Sequence, residues 1–177
     1  FAQSQGLMVR DGSLGSGPLA VGPGVDPLGQ SATYLITPEM GEQRGSNLFH
    51  SFERFGIGKD ETATFTGPDP IKGPDGVDGP QSVSNVISRV TGGTSSQIDG
   101  SLRSTIPGAD VWLLNPSGVV FGEAAQLDVR GSFHAGSADY VALGESGERF
   151  TADRTTRPGV LATAKPSAFG FLPGSPA

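Results

Sequence analysis

Apolar residues in this chain come in short runs, and no long stretch repeats them at helical spacing. The clearest pair lies in ADVWLLNPSGVVFG, residues 109–122, where the runs 111–114 and 119–121 flank Asn115-Pro116-Ser117-Gly118. Both runs are continuous rather than alternating, which predicts two strands buried on both faces. The tetrapeptide suits a type I turn. Asn fits position i, Pro fixes φ at i+1, Ser is tolerated at i+2 and Gly is favoured at i+3. A strand, a sharp corner and another strand form one corner of a wound sheet.

The same grammar recurs along the chain. Residues 33–36 read as a strand closed by Pro38, and the Thr-rich 62–66 alternates as a strand does. In 46–57, Phe49, Phe52 and Phe55 are three apart, so a two-turn helix and a strand with a bend both fit. Residues 83–90 predict a strand, 97–102 a short strand containing a Gly, and 125–133 another. Gly100-Ser101-Leu102 recurs as Gly131-Ser132-Phe133, and short runs at 140–143, 150–151, 160–163 and 169–172 continue the rhythm.

Recurring short strands with irregular turns predict an all-β chain wound into the stacked coils of a parallel β-helix. A β-sandwich is the rival, but it calls for stricter alternation and hairpin turns. Of Asp11-Gly12, Asp75-Gly76 and Asp99-Gly100, only the last lies between credible strands. In a β-helix Asn115 can ladder with a neighbouring coil. Leu7-Met8-Val9 and Leu19-Ala20-Val21 are long enough for capping strands, so residues 1–32 are expected to cover the open end. Coils are expected over 33–172, interrupted by an exposed loop at 68–82. The acidic residues of that loop, Asp69, Asp75 and Asp78, miss calcium-loop spacing.

Composition narrows the classes. Gly (28) and Pro (14) among 177 residues favour turns over helices. With no Cys, a disulfide framework and thiolate metal sites are excluded. A net charge of −6 argues against nucleic acid as a partner, and no apolar run is long enough for stable membrane insertion. Ala2 fits the last residue of a signal-peptide cleavage site.

Catalysis would need clustered carboxylates with a base or metal. The candidates are Asp99, Asp110, Asp128 and Asp139 with Arg89, Arg103 and Arg130, and stacking in register would align some on one face. Outward strand positions must be polar in any case, so a solvated face is expected rather than an enzyme. His50 and His134 lack metal-ligand spacing and are expected at the core edge or surface. Ser51 beside His50 lacks the nucleophile-elbow glycines. Trp112 is expected as a partly buried strand aromatic, with a recognition anchor as the alternative. No cofactor or metal is expected.

Six segments taken together resemble a known family: SNLFHSF (46–52), ETATFTGP (61–68), VSNVISRVTGG (83–93), SQIDGSLRS (96–104), the 109–122 corner and LDVRGSFHAGSADYVAL (127–143). They resemble the filamentous-haemagglutinin-like haemagglutination-activity domain of two-partner secretion. The resemblance implies a right-handed parallel β-helix with an N-terminal capping segment. It also implies recognition in the periplasm by a dedicated outer-membrane transporter carrying POTRA domains, and export of a large exoprotein to the cell surface or medium. The family's N-P-N-G-I motif falls on Asn115, Pro116, Ser117, Gly118 and Val119, with Ser117 and Val119 as departures. Its N-P-N-L motif has only a partial counterpart around Asn47, Leu48 and Phe49. A monomer is expected, and residues 173–177 are expected to link to further exoprotein. The alternative function is a surface adhesin that binds host or environmental glycans.

Overall fold

A computed structural model describes residues 7–22, 24–25, 31–67, 83–144, 148–153, 161 and 163–171. The expected loop at 68–82 and the expected linker at 173–177 lie outside the described residues, as do residues 160 and 162 of the expected run at 160–163. Two short strands come first, β1 (Met8–Arg10) and β2 (Gly24–Val25). The first coil holds β3 (Ser31–Ile36), a 3-10 turn (Pro38–Met40), the short β4 (Glu42–Arg44) and β5 (Asn47–Phe55). The stretch that fitted either a helix or a strand is thus a nine-residue strand.

The second coil is β6 (Thr62–Phe65), β7 (Asn85–Val90) and β8 (Ser96–Ile98). The third is β9 (Ser101–Ser104), β10 (Asp110–Leu114) and β11 (Val119–Phe121). A partial fourth holds β12 (Gln126–Asp128) and β13 (Phe133–Gly136). Like strands stack in parallel: β5, β7, β10 and β13 form one sheet, β3, β6, β9 and β12 a second, and β8 with β11 a third. This is a parallel β-helix with three faces, and the right-handed sense that the resemblance implies is the one parallel crossovers adopt.

The N-terminal segment caps the helix. β1 runs antiparallel along β5, with Met8 opposite Phe55, and β2 runs antiparallel along β3. Met8, Leu14 and Val21 are buried there. An edge that would otherwise offer unpaired backbone groups is closed by the chain itself.

Inside the helix, register columns build the core. Leu48, Val86, Val111 and Phe133 form one column, and Tyr34, Ala63, Leu102 and Leu127 another. One residue along, Phe49, Ile87 and Trp112 point outward from the first sheet, yet they too are buried. What covers them is a separate antiparallel sheet of β14 (Tyr140–Leu143), β15 (Glu148–Thr151) and β16 (Pro166–Gly170). Val141, Leu143 and Phe150 face inward from it, and Phe150 lies 4.8 Å from Phe49.

Several sequence expectations change here. The last runs are not coils: after Gly136 the described strands pair antiparallel, because the outer apolar column needs a cover. The span 97–102 is two strands with a corner at Asp99-Gly100, where a side chain on Gly100 would collide with the Gly58 and Glu61 carbonyls. The span 125–133 is likewise split, so the two Gly-Ser pairs sit at different corners. Burial on both faces holds for β10 and fails for β11, whose Val120 and Phe121 are exposed.

Candidate functional site

The 115–118 corner is built as its residue types require. Gly118 N–H donates to Asn115 O at 2.9 Å, closing the turn, and Ser117 N–H donates to Asn115 Oδ1 at 2.9 Å. Gly118 has φ 106, a conformation that glycine adopts without a Cβ penalty. Asn115 is wholly buried while Pro116 and Ser117 are exposed. Its Nδ2 donates to Thr94 O and Ser96 Oγ, each at 3.0 Å, so the side chain ties the third coil to the corner of the second. All polar atoms of the Asn115 side chain are therefore engaged within the molecule. Val119 follows in β11, beside Ser96 of β8.

The expected Asn ladder exists, at another position. Asn85 Nδ2 donates to Asn47 Oδ1 at 3.1 Å across the first two coils, and Asn47 Nδ2 donates to Ala164 O at 2.7 Å. Leu48 next to it faces the helix core and Phe49 the outer core. The secondary motif thus joins the helix to the covering sheet, and it lies on a different corner from Asn115.

Of the charged candidates, Arg103 and Asp128 meet, at 3.2 Å on an exposed face. Asp110 accepts Ser132 N–H at 2.7 Å. Arg89 is fully buried, contrary to a solvated face. It donates to Ser51 Oγ (2.8 Å), Thr151 O (3.0 Å) and Ser13 Oγ (3.1 Å), and lies over the Phe150 ring at 4.7 Å. Asp11 completes this polar knot. Burial alone would raise its pKa, but bonds from Ser13, Ser51 and Thr91 outweigh that and hold it at about 2. Arg10, also buried, donates to the carbonyls of Leu14, Ser16 and Met40, fixing the cap loop. The sequence reading missed Asp11 and Arg10; an Arg inside the apolar run of β7 is the one signal it held.

His50 is another correction. It lies wholly inside the helix against Phe52 and Phe65. Burial lowers its pKa to about 3, with a Met40 backbone contact opposing and the Arg10 charge adding to the shift. His134 stacks on Trp112 at 4.1 Å, and Trp112 is 6% exposed, so the anchor reading gives way to packing. Among the described residues no group of three or more His, Asp or Glu is placed to hold a metal. Beside the corner, a cleft of about 370 Å3 opens between Arg54 to Gly58 of the first coil and Thr94, Ser95 and Gln97 of the second.

Comparison with known proteins agrees with this architecture. The TPS secretion domain matches residues 28–176. The heme/hemopexin-binding protein of Haemophilus influenzae is 33% identical over 99 residues, which is 56% of this chain and 9% of that protein. The chain therefore spans a small part of the length of this curated relative. With its coils, cap and corner in place, the chain belongs to the two-partner secretion family as a TPS secretion domain.

Proposed function

We propose that this domain is the export signal of a larger exoprotein, met in the periplasm by the POTRA domains of its transporter, and that it acts as a monomer. The transporter reads the folded coils, while the 115–119 corner sets their register. The observation that carries this is the buried Asn115 side chain, whose donors and acceptor are spent on Thr94, Ser96 and Ser117. A side chain with no polar atom left over holds a fold together and offers nothing to a partner. The Asn47–Asn85 ladder does the same for the first two coils.

The charged residues fit a non-catalytic role. Arg103 and Asp128 form a surface pair, and Arg89 and Asp11 are consumed in anchoring the cap. Glycan binding draws no support from the aromatics. Phe49, Phe52, Phe65 and Phe150 are core residues, and no exposed row of rings is present among the described residues. The test is retention of the purified chain on the immobilised periplasmic region of the cognate transporter, beside a glycan array. Retention without glycan binding is expected. Glycan binding without retention would overturn the reading.

A further inference from the structure

Arg89 stands where three parts of the molecule meet. It lies on the outer side of β7, level with Ser51 of β5 and Leu114 of β10, and it is fully buried. Its Nε donates to Ser51 Oγ in the first coil at 2.8 Å, its Nη2 to Ser13 Oγ in the cap at 3.1 Å, and its Nη1 to Thr151 O in the outer sheet at 3.0 Å. The Phe150 ring of β15 lies against the guanidinium at 4.7 Å. Both hydroxyls pass the contact on. Ser13 Oγ donates to Asp11 Oδ1 and Ser51 Oγ to Asp11 Oδ2, each at 2.6 Å. Thr91 Oγ1, on the same segment as Arg89, also donates to Oδ2, at 2.7 Å. A guanidinium and a carboxylate are thus joined through two hydroxyls, with the cap on one side and the outer sheet on the other. Apolar packing runs the same way. Leu14, next to Ser13, belongs to the buried cluster of Phe49, Ile87, Val141 and Phe150 rather than to the helix core.

We propose that Arg89 is a latch that makes the cap and the outer sheet close and open as one unit, so that the cap locks only after β15 has docked. The physical reason is the cost of leaving a buried guanidinium short of partners. Hydrogen bonds to a charged group are stronger than neutral ones, and a cation stripped of a partner away from water keeps its desolvation cost. Whichever layer lifts away takes partners from Arg89 and weakens its hold on the other. The cap removes Ser13 Oγ and with it one link to Asp11, whereas the outer sheet removes Thr151 O and the Phe150 face. Coupling of this kind is reciprocal.

The latch also sets an order of closure. From Arg89 it reaches back 76 residues to Ser13 and on 62 residues to Thr151, against 38 residues to Ser51 in the neighbouring coil. Longer spans carry the larger loop-closure cost and form later. The N-terminal strap therefore stays unlocked while the coils stack, and is fixed once the last sheet is down. The latch does not depend on which partner meets the domain.

The test is amide exchange on the full chain. Ser13→Ala loosens the latch from the cap side, and Phe150→Leu from the outer-sheet side. The reporters are Val21, whose N–H donates to Met8 O in the cap at 3.0 Å, and Gly144, whose N–H donates to Lys165 O in the outer sheet at 2.8 Å. Thr66, whose N–H donates to Ile36 O at 2.9 Å, reports on the helix itself. Each substitution is expected to speed both Val21 and Gly144 about fivefold or more, and Thr66 less than about twofold. In Arg89→Met both reporters are expected to be fast already, and adding Ser13→Ala then leaves Gly144 unchanged. Acceleration confined to the substituted layer overturns the proposal, as does equal acceleration at Thr66. Transmission from Ser13 to Gly144 that persists in Arg89→Met overturns the role of Arg89 and assigns the coupling to Leu14. If Arg89→Met does not fold, the reciprocal pair Ser13→Ala and Phe150→Leu decides by itself.

Discussion

Two strands flank the Asn115 corner, and they live in different surroundings. β10 belongs to a sheet with the helix core behind it and a second core in front, where Trp112 and Leu114 meet the antiparallel layer. Among the described residues, β11 belongs to a two-stranded sheet with no outer layer, and it lies in the last coil that this sheet reaches. Val120 therefore faces solvent from its outer side, and Phe121 is exposed although it continues the Ile57 and Ile98 column. Consecutive apolar residues thus report a strand without reporting how many layers enclose it. Here the enclosed sheet buries both faces, and the open one exposes apolar side chains at its end.

The largest expected effect is in the enclosed sheet. Leu114→Ala should cost about 2–5 kcal/mol in urea unfolding, since it empties a fully buried position between two layers. An effect near zero would mean the outer sheet does not pack as described. Acid should come next. Unfolded His50 takes up a proton near pH 6.5 and folded His50 only near pH 3, so the unfolded chain binds more protons between those values. Stability is then full above about pH 6.5 and declines as pH falls towards 3. Asp11, held at about 2 against 3.8, adds a loss confined to pH below about 4. The melting temperature should fall between pH 7 and pH 5, and His50→Leu should flatten that slope. An unchanged slope in the variant would remove His50 from the account. The smallest effect belongs to the open sheet, where Val120→Ala should stay within about 0.5 kcal/mol of wild type.

Much of the fold was legible because its cause is local. The 115–118 turn follows from four residue types in order, and short apolar runs broken by Gly and Pro favour a β-solenoid over the rival sandwich. What escaped depends on distant partners. Burial of both faces of β10 was readable from its continuous apolar run, but the antiparallel strands from 140 onward that cover its outer face were not. Arg10 and Arg89 are buried and Asp11 is half-buried because separate segments surround them with carbonyls and hydroxyls, an arrangement without sequence spacing. The Asp99-Gly100 corner looked like a Gly within a strand because tight corners between coils use the same residues as bulges. The site was half visible: the Asn115 motif stands in the sequence, whereas its grip on Thr94 and Ser96 of the neighbouring coil follows from stacking and has no sequence spacing.

The central claim is that Asn115 acts through the fold rather than as a contact. Its most direct test measures secretion and melting temperature together for Asn115→Ala. The account predicts that both fall, with about 1–3 kcal/mol lost from stranded partners at Thr94, Ser96 and Ser117. For a chain of this size that is a drop of about 2–12 °C. Abolished secretion from a variant that melts and folds like wild type would contradict it.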